Sequence, residues 1–175
     1  MSAETDLNTI KEFLEETVKP QIKLQKASDN NVKDYSLMQP NVFVGWVPPK
    51  GYLPAGMESI IPCLIVGLDE ASDDGESDDL NLRITAAVYS PGEHKPVGDN
   101  VEFTPDFQGY KDLLNLLERT KAEFLKNSII KNALKVQKPV KRGMYEEQPY
   151  PYWYGWVKVT VSKSAYPQTD VAKLL

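Results

Sequence analysis

The densest run of chemically versatile side chains lies at residues 145–156, Tyr-Glu-Glu-Gln-Pro-Tyr-Pro-Tyr-Trp-Tyr-Gly-Trp, with six aromatics in twelve positions. Tyr and Trp combine a large apolar body with a polar handle. Such a run suits a core and the lead into a strand, a protein interface, or a platform on which sugars or single-stranded bases stack. The residues leave all three open, with Tyr150, Tyr152, Trp153 and Trp156 as candidate contacts. A smaller group, Trp46, Pro48, Pro49 and Tyr52, sits in a Pro/Gly-rich stretch and is a second candidate for an oligomer or partner contact.

Catalytic constellations are scarce. A cysteine nucleophile needs a base beside it, and the single cysteine, Cys63, and single histidine, His94, are the only pair that could supply one. Cys63 lies within Ile60-Ile-Pro-Cys-Leu-Ile-Val and reads as a small core filler, while His94 lies in a Pro/Gly turn. One Cys and one His also fall short of the usual zinc ligand set. No GxxxxGK[ST], GxGxxG or GxSxG string occurs. The sequence therefore predicts no catalytic residue, no metal and no cofactor.

The acidic run at 69–79 holds seven carboxylates in eleven residues: Asp69, Glu70, Asp73, Asp74, Glu76, Asp78 and Asp79. Oxygen ligands suit a hard cation. Setting Gly75 at the sixth place of a calcium loop puts Glu70, Ser72 and Asp74 at the first, third and fifth, but Asn81 where a bidentate Glu belongs. The match is poor, and a solvated loop is the plainer expectation.

These groups are carried by 175 residues with a net charge of −5, 41% hydrophobic and 26% charged, a length and composition for one soluble domain spanning 1–175. A lone cysteine forms no internal disulfide. An acidic chain also lacks the concentrated basic face of a nucleic-acid reader. Its one basic concentration, Lys131, Lys135, Lys138, Lys141 and Arg142, reads as the solvated side of a strand. The first residues lack a signal-peptide pattern and no apolar run approaches the ~20 residues that span a bilayer, so the expected setting is a reducing cytoplasm or a particle assembled there, away from membranes.

Periodicity supplies the elements. Leu7, Ile10, Phe13, Leu14 and Val18 form one stripe of a helix over 6–19, capped by Thr5 or Asp6 and ended by Pro20. Residues 21–59 read as a partly extended arm with one short strand candidate at 41–46. Residues 60–68 and 80–89 read as a hairpin with the acidic run as its long loop, and 90–103 as a second loop. A principal helix is expected over 106–127, with Thr104 and Pro105 opening it. Residues 133–141 and 152–162 form a second antiparallel pair, followed by a polar tail at 163–175. The order indicates an α+β fold, a mainly antiparallel sheet covered by two helices.

Three segments then stand out together: Leu80-Asn-Leu-Arg-Ile-Thr-Ala-Ala-Val-Tyr-Ser, Gln108-Gly-Tyr-Lys-Asp-Leu-Leu-Asn-Leu-Leu-Glu-Arg, and Gln148-Pro-Tyr-Pro-Tyr-Trp-Tyr-Gly-Trp-Val-Lys-Val-Thr. In their order and spacing, over roughly 60–162, the chain resembles the tail terminator (tail completion) proteins of long-tailed bacteriophages and of phage-tail-like particles of Gram-positive bacteria. The resemblance implies a virion structural protein assembled in the host cytoplasm and placed at the head-proximal end of the tail. Such a protein forms a homohexameric ring that caps the tail tube, stops its growth and offers a surface to a head-tail connector or neck protein, with the sheath protein as a further neighbour in contractile tails. It implies no catalytic residue.

The alternative from another class is a carbohydrate- or peptide-binding module using the Tyr/Trp cluster. Within a ring, clustered acidic runs would repel one another inside a Debye length of ~8–10 Å, which predicts assembly favoured by added salt or divalent cations. A negative opening would also let the genome DNA pass without specific binding.

Overall fold

The structure is a computed structural model and describes residues 2–28, 35–47, 53–104 and 106–164; the side chains of His94, Pro96 and Ser164 lie outside that description, as do Pro48, Pro49, Tyr52 and the tail beyond 164. It is α+β, as the order of elements indicates.

Helix α1 spans Ala3–Thr17 and begins three residues earlier than predicted, because the Ser2 side chain, rather than Thr5 or Asp6, accepts the Thr5 amide at 3.4 Å. Asp6 is thereby released for another role. It is 2% exposed and bridges Lys163, which also reaches Asp78 at 3.2 Å. A 3-10 turn at Lys19–Gln21 ends the helix at Pro20. Helix α2 spans Gln108–Lys126. Thr104 does not cap it; the Asp106 carboxylate accepts the Gln108 amide at 3.0 Å instead, and Thr104 closes a preceding strand.

The strands are β1 (Leu24–Gln25), β2 (Leu37–Met38), β3 (Asn41–Val44), β4 (Cys63–Asp73), β5 (Ser77–Tyr89), β6 (Glu93–Val97), β7 (Asn100–Thr104), β8 (Ile129–Ile130), β9 (Leu134–Met144) and β10 (Tyr152–Ser164). Six form one sheet in the order β3-β4-β5-β10-β9-β8. Every neighbouring pair in it is antiparallel except β3 and β4. Strands β1 and β2 form a small antiparallel pair of their own.

Alternation along the strands makes two cores. On one face Leu64, Val66, Leu82, Ile84, Ala86, Val157, Val159 and Val161 meet Ile10, Phe13, Leu14 and Val18 of α1 and Leu113, Leu116, Leu117 and Phe124 of α2. Phe13 and Phe124 join the helices at 5.4 Å between ring centroids. On the other face Cys63, Ile65, Ala87, Tyr89 and Tyr154 are covered by Val47, Leu53 and Ile61. Within the predicted arm 21–59, Val47 and Leu53 therefore fold back as part of that cover. A parallel β3–β4 pair requires a crossover of a dozen residues or more, and among its described residues Val47, Leu53 and Ile61 are buried while Pro54, Ala55, Gly56 and Met57 are exposed.

Two predicted loops are strands. The acidic run is mostly ladder, with Glu70 opposite Asn81, Ser72 opposite Asp79 and Asp73 opposite Asp78, so the turn is short and centred on Gly75 at φ +87°. The second loop, 90–103, is the hairpin β6–β7, which belongs to neither of the other sheets. Its turn uses Gly98 at φ +62°, a conformation glycine adopts without steric cost.

Candidate functional site

The aromatic string is used mostly inside the chain's own fold. Tyr154 is 1% exposed, and burial raises its phenol well above the usual range. Tyr145 is buried with its hydroxyl 2.9 Å from Thr85 Oγ1. Tyr152 packs on Tyr89 with ring centroids 5.5 Å apart. Gln148 closes the connection like an extra peptide group: its amide donates to the carbonyls of Tyr145 (2.8 Å) and Tyr154 (2.9 Å), and its carbonyl accepts the Tyr154 amide at 2.6 Å.

Both tryptophans lie against glycines. A Cβ at Gly109 of α2 would stand 2.1 Å from the Trp153 indole, and one at Gly143 of β9 would stand 2.6 Å from the Trp156 ring. Gly155 likewise admits α2, since a Cβ there would meet Leu117 Cδ1 at 2.8 Å. Trp156 carries Lys158 over its face, 4.9 Å from the ring centroid.

The string also fixes the place where β5 gives way to the β6–β7 hairpin. Ser90 N donates to Pro151 O at 3.0 Å, Trp153 Nε1 reaches Ser90 O at 3.5 Å, and the Tyr150 hydroxyl donates to Pro91 O. Of the four predicted contacts in the string, Tyr150 is exposed, and Tyr152, Trp153 and Trp156 are half-buried. Trp153 holds both ends of the segment, Ser90 on one side and Gly109 on the other. The hairpin is therefore an arm on a braced root.

The arm and the start of α2 expose an apolar surface that sequence reasoning missed. Val97, Val101 and Phe103 are exposed along the hairpin, Phe107 at the start of α2 is 72% exposed, and Tyr110 and Leu114 follow on the helix. The helical period puts Tyr110, Leu114 and Leu125 on one broad apolar face with Leu113, Leu117 and Phe124; the structure buries only the latter three and leaves Tyr110, Leu114 and Leu125 exposed. A separate exposed group, Phe43, Val44 and Trp46, lies at the β3 edge of the main sheet.

The third region is charged. Arg83, 3% exposed, donates to Val47 O at 2.7 Å and pairs with Asp69 at 3.1 Å. Lys158 stands opposite Arg83 on one side and Lys141 on the other, making a row of three cations across β5, β10 and β9. The row borders an open cleft of about 280 Å³ with Asp69, Asn81, Pro139 and Thr160 on its walls.

The acidic run is largely self-contained. Asp73 accepts Gly75 N at 2.8 Å. The amides of Ser77 and Glu76, at 2.8 and 2.9 Å, hold the Asp74 carboxyl below its usual range. Ser162, Ser77 and Gln137 do the same for Asp79. No group of three or more His, Cys, Asp or Glu is placed to hold a metal ion among the described residues. Burial pushes the Cys63 thiol up to about 12, so it stays protonated at neutral pH. Among the described residues no helix is long and apolar enough to cross a membrane. No protein-family model and no curated protein matches the chain, so its function rests on these three regions.

Proposed function

We propose that the chain is a non-catalytic structural subunit that closes into a ring with copies of itself, caps the tail tube of a long-tailed phage or phage-tail-like particle, ends its growth and offers a surface to the neck. The observation that carries this is the braced arm, with Val97, Val101, Phe103, Phe107, Tyr110 and Leu114 turned to solvent. An isolated two-stranded hairpin is marginally stable in water, and exposed apolar side chains grouped on one face, as Val101 and Phe103 are on β7 with Val97 on the face behind, mark contacts with other proteins. The β3 edge supplies a different apolar group, and two unlike surfaces on one subunit suit a head-to-tail contact, which ends when it closes as a ring. The resemblance over 60–162 supplies the tail and the hexamer.

An aromatic platform for sugars or peptides has less support, because Tyr145 and Tyr154 are buried and Trp153 and Trp156 face glycines. The test adds purified protein to tail tubes as they polymerise from their own tube protein. The proposal predicts tubes of arrested length with a ring at one end. Tubes that grow unchanged beside the free protein would contradict it.

A further inference from the structure

Cations placed directly opposite one another on neighbouring strands repel. In the row Lys141–Lys158–Arg83 only Arg83 has an anionic partner, Asp69. Beyond the face of Trp156, Lys158 has none among the described residues, and neither do Lys141, Lys135 or Lys138 on β9. The β4–β5 tip has the opposite surplus. Asp73 and Asp74 use single oxygens on turn amides, and Glu76 has no partner among the described residues.

The Lys141–Lys158 row and the 73–76 tip cannot meet within one chain. The tip belongs to a paired ladder that holds it straight, and at ~3.3 Å per residue Ser77 already lies roughly 20 Å along β5 from Arg83. We infer that the Lys141–Lys158 row is the docking site for the acidic 73–76 tip of a second copy of this chain, tip of one subunit against the open sheet face of the next. The inference rests on the ring reading above and adds an electrostatic contact to the apolar arm. It also reverses the salt dependence that the acidic run alone predicts, because salt now weakens an attraction.

Sedimentation velocity tests it at salt from about 0.01 M to about 1 M, a change that shortens the Debye length from roughly 30 Å to roughly 3 Å. Three proteins are compared: wild type, the double variant Lys141→Glu with Lys158→Glu, and the tip variant Glu76→Lys. All three sites are exposed, and thermal melting checks that each variant folds. The expected result is wild-type association that weakens with salt, a loss of about tenfold or more in each variant alone, and recovery when the two variants are mixed. Recovery requires that the two charge sets face each other across a contact. Variants that assemble as the wild type does would overturn the docking and leave the ring reading standing. Duplex DNA held by Lys141 and Lys158 at ~0.15 M salt would also overturn the docking. A wild type that stays monomeric throughout would overturn both.

Discussion

The string at 145–156 and the arm at 93–104 are joined at Ser90 and Pro91, yet they treat apolar surface in opposite ways. The string has six aromatics and turns most of them inward; the arm has one, Phe103, and leaves it exposed beside Val97 and Val101. The difference lies in what faces each side chain. Trp153 and Trp156 each find a glycine, and Tyr145 finds the Thr85 hydroxyl, so bulk and polar handles are both satisfied within the chain. The β6–β7 hairpin is a two-stranded sheet of its own among the described residues, and Val97, Val101 and Phe103 on it stay exposed. Aromatic density in a sequence thus marks buried mass as readily as contact surface. On the proposed reading the arm is where a partner docks, and the string holds the arm in place.

Changes to the string should therefore act on stability, and changes to the arm on association. The largest effect is expected for Tyr154→Ala, which empties a site 1% exposed between sheet and cover and should cost about 4 kcal/mol in urea unfolding. A loss below about 1 kcal/mol would mean the string is not core.

Next comes the clamp that ties α1 to the sheet. Lys163→Met leaves Asp6 buried without its cation and should cost about 3 kcal/mol. Burial disfavours the Lys163 charge, but hydrogen bonds and attraction from Asp6 and Asp78 outweigh it and raise its pKa above the ordinary 10.5. The clamp's contribution is then complete below pH 10.5 and lost as pH rises through the raised value. The gap between wild type and Lys163→Met in melting temperature should be constant at neutral pH and narrow above pH 10.5. A gap that narrows on acidification alone would point elsewhere.

Gly109→Ala sharpens the link between the two regions. Its Cβ meets Trp153, so the indole must shift, which should cost about 2 kcal/mol and loosen the root of the arm. Hydrogen exchange should quicken at 93–104 more than in β4 or β5; uniform quickening would mean that Trp153 does not brace the arm. The smallest effect on stability belongs to Phe107→Ser, at 72% exposure within about 0.5 kcal/mol of wild type. Its effect should appear as lost self-association, and a variant that associates normally would remove Phe107 from the contact.

What was legible in the sequence follows the same division. Both helices and the long strands announce themselves through local periods: 3.6 in Ile10, Phe13 and Leu14, and 2 in Val157, Val159 and Val161. The β6–β7 hairpin reads as a loop in the sequence because Pro96 and Gly98 are breakers in a sheet interior, whereas a two-stranded ribbon has edge positions where proline removes no needed donor. The acidic ladder reads as a loop in the sequence because Asp and Glu have low strand propensity; what holds it in the sheet comes from elsewhere, with Lys163 of β10 on Asp78 and Ser77 and Gln137 donating to Asp79. The cover over the second face and the contacts of Gly109 with Trp153 and Gly143 with Trp156 depend on partners distant in sequence, which no local pattern encodes.

The central claim is that the subunit closes on itself through surfaces outside the string. Native mass spectrometry of the purified protein at low salt tests it most directly, with Phe107→Ser and Gly109→Ala run alongside. The account predicts one closed stoichiometry for the wild type, six if the resemblance holds, and its loss in Phe107→Ser without unfolding. A wild type that remains monomeric at every concentration, or that gives an open-ended ladder of masses, would contradict it.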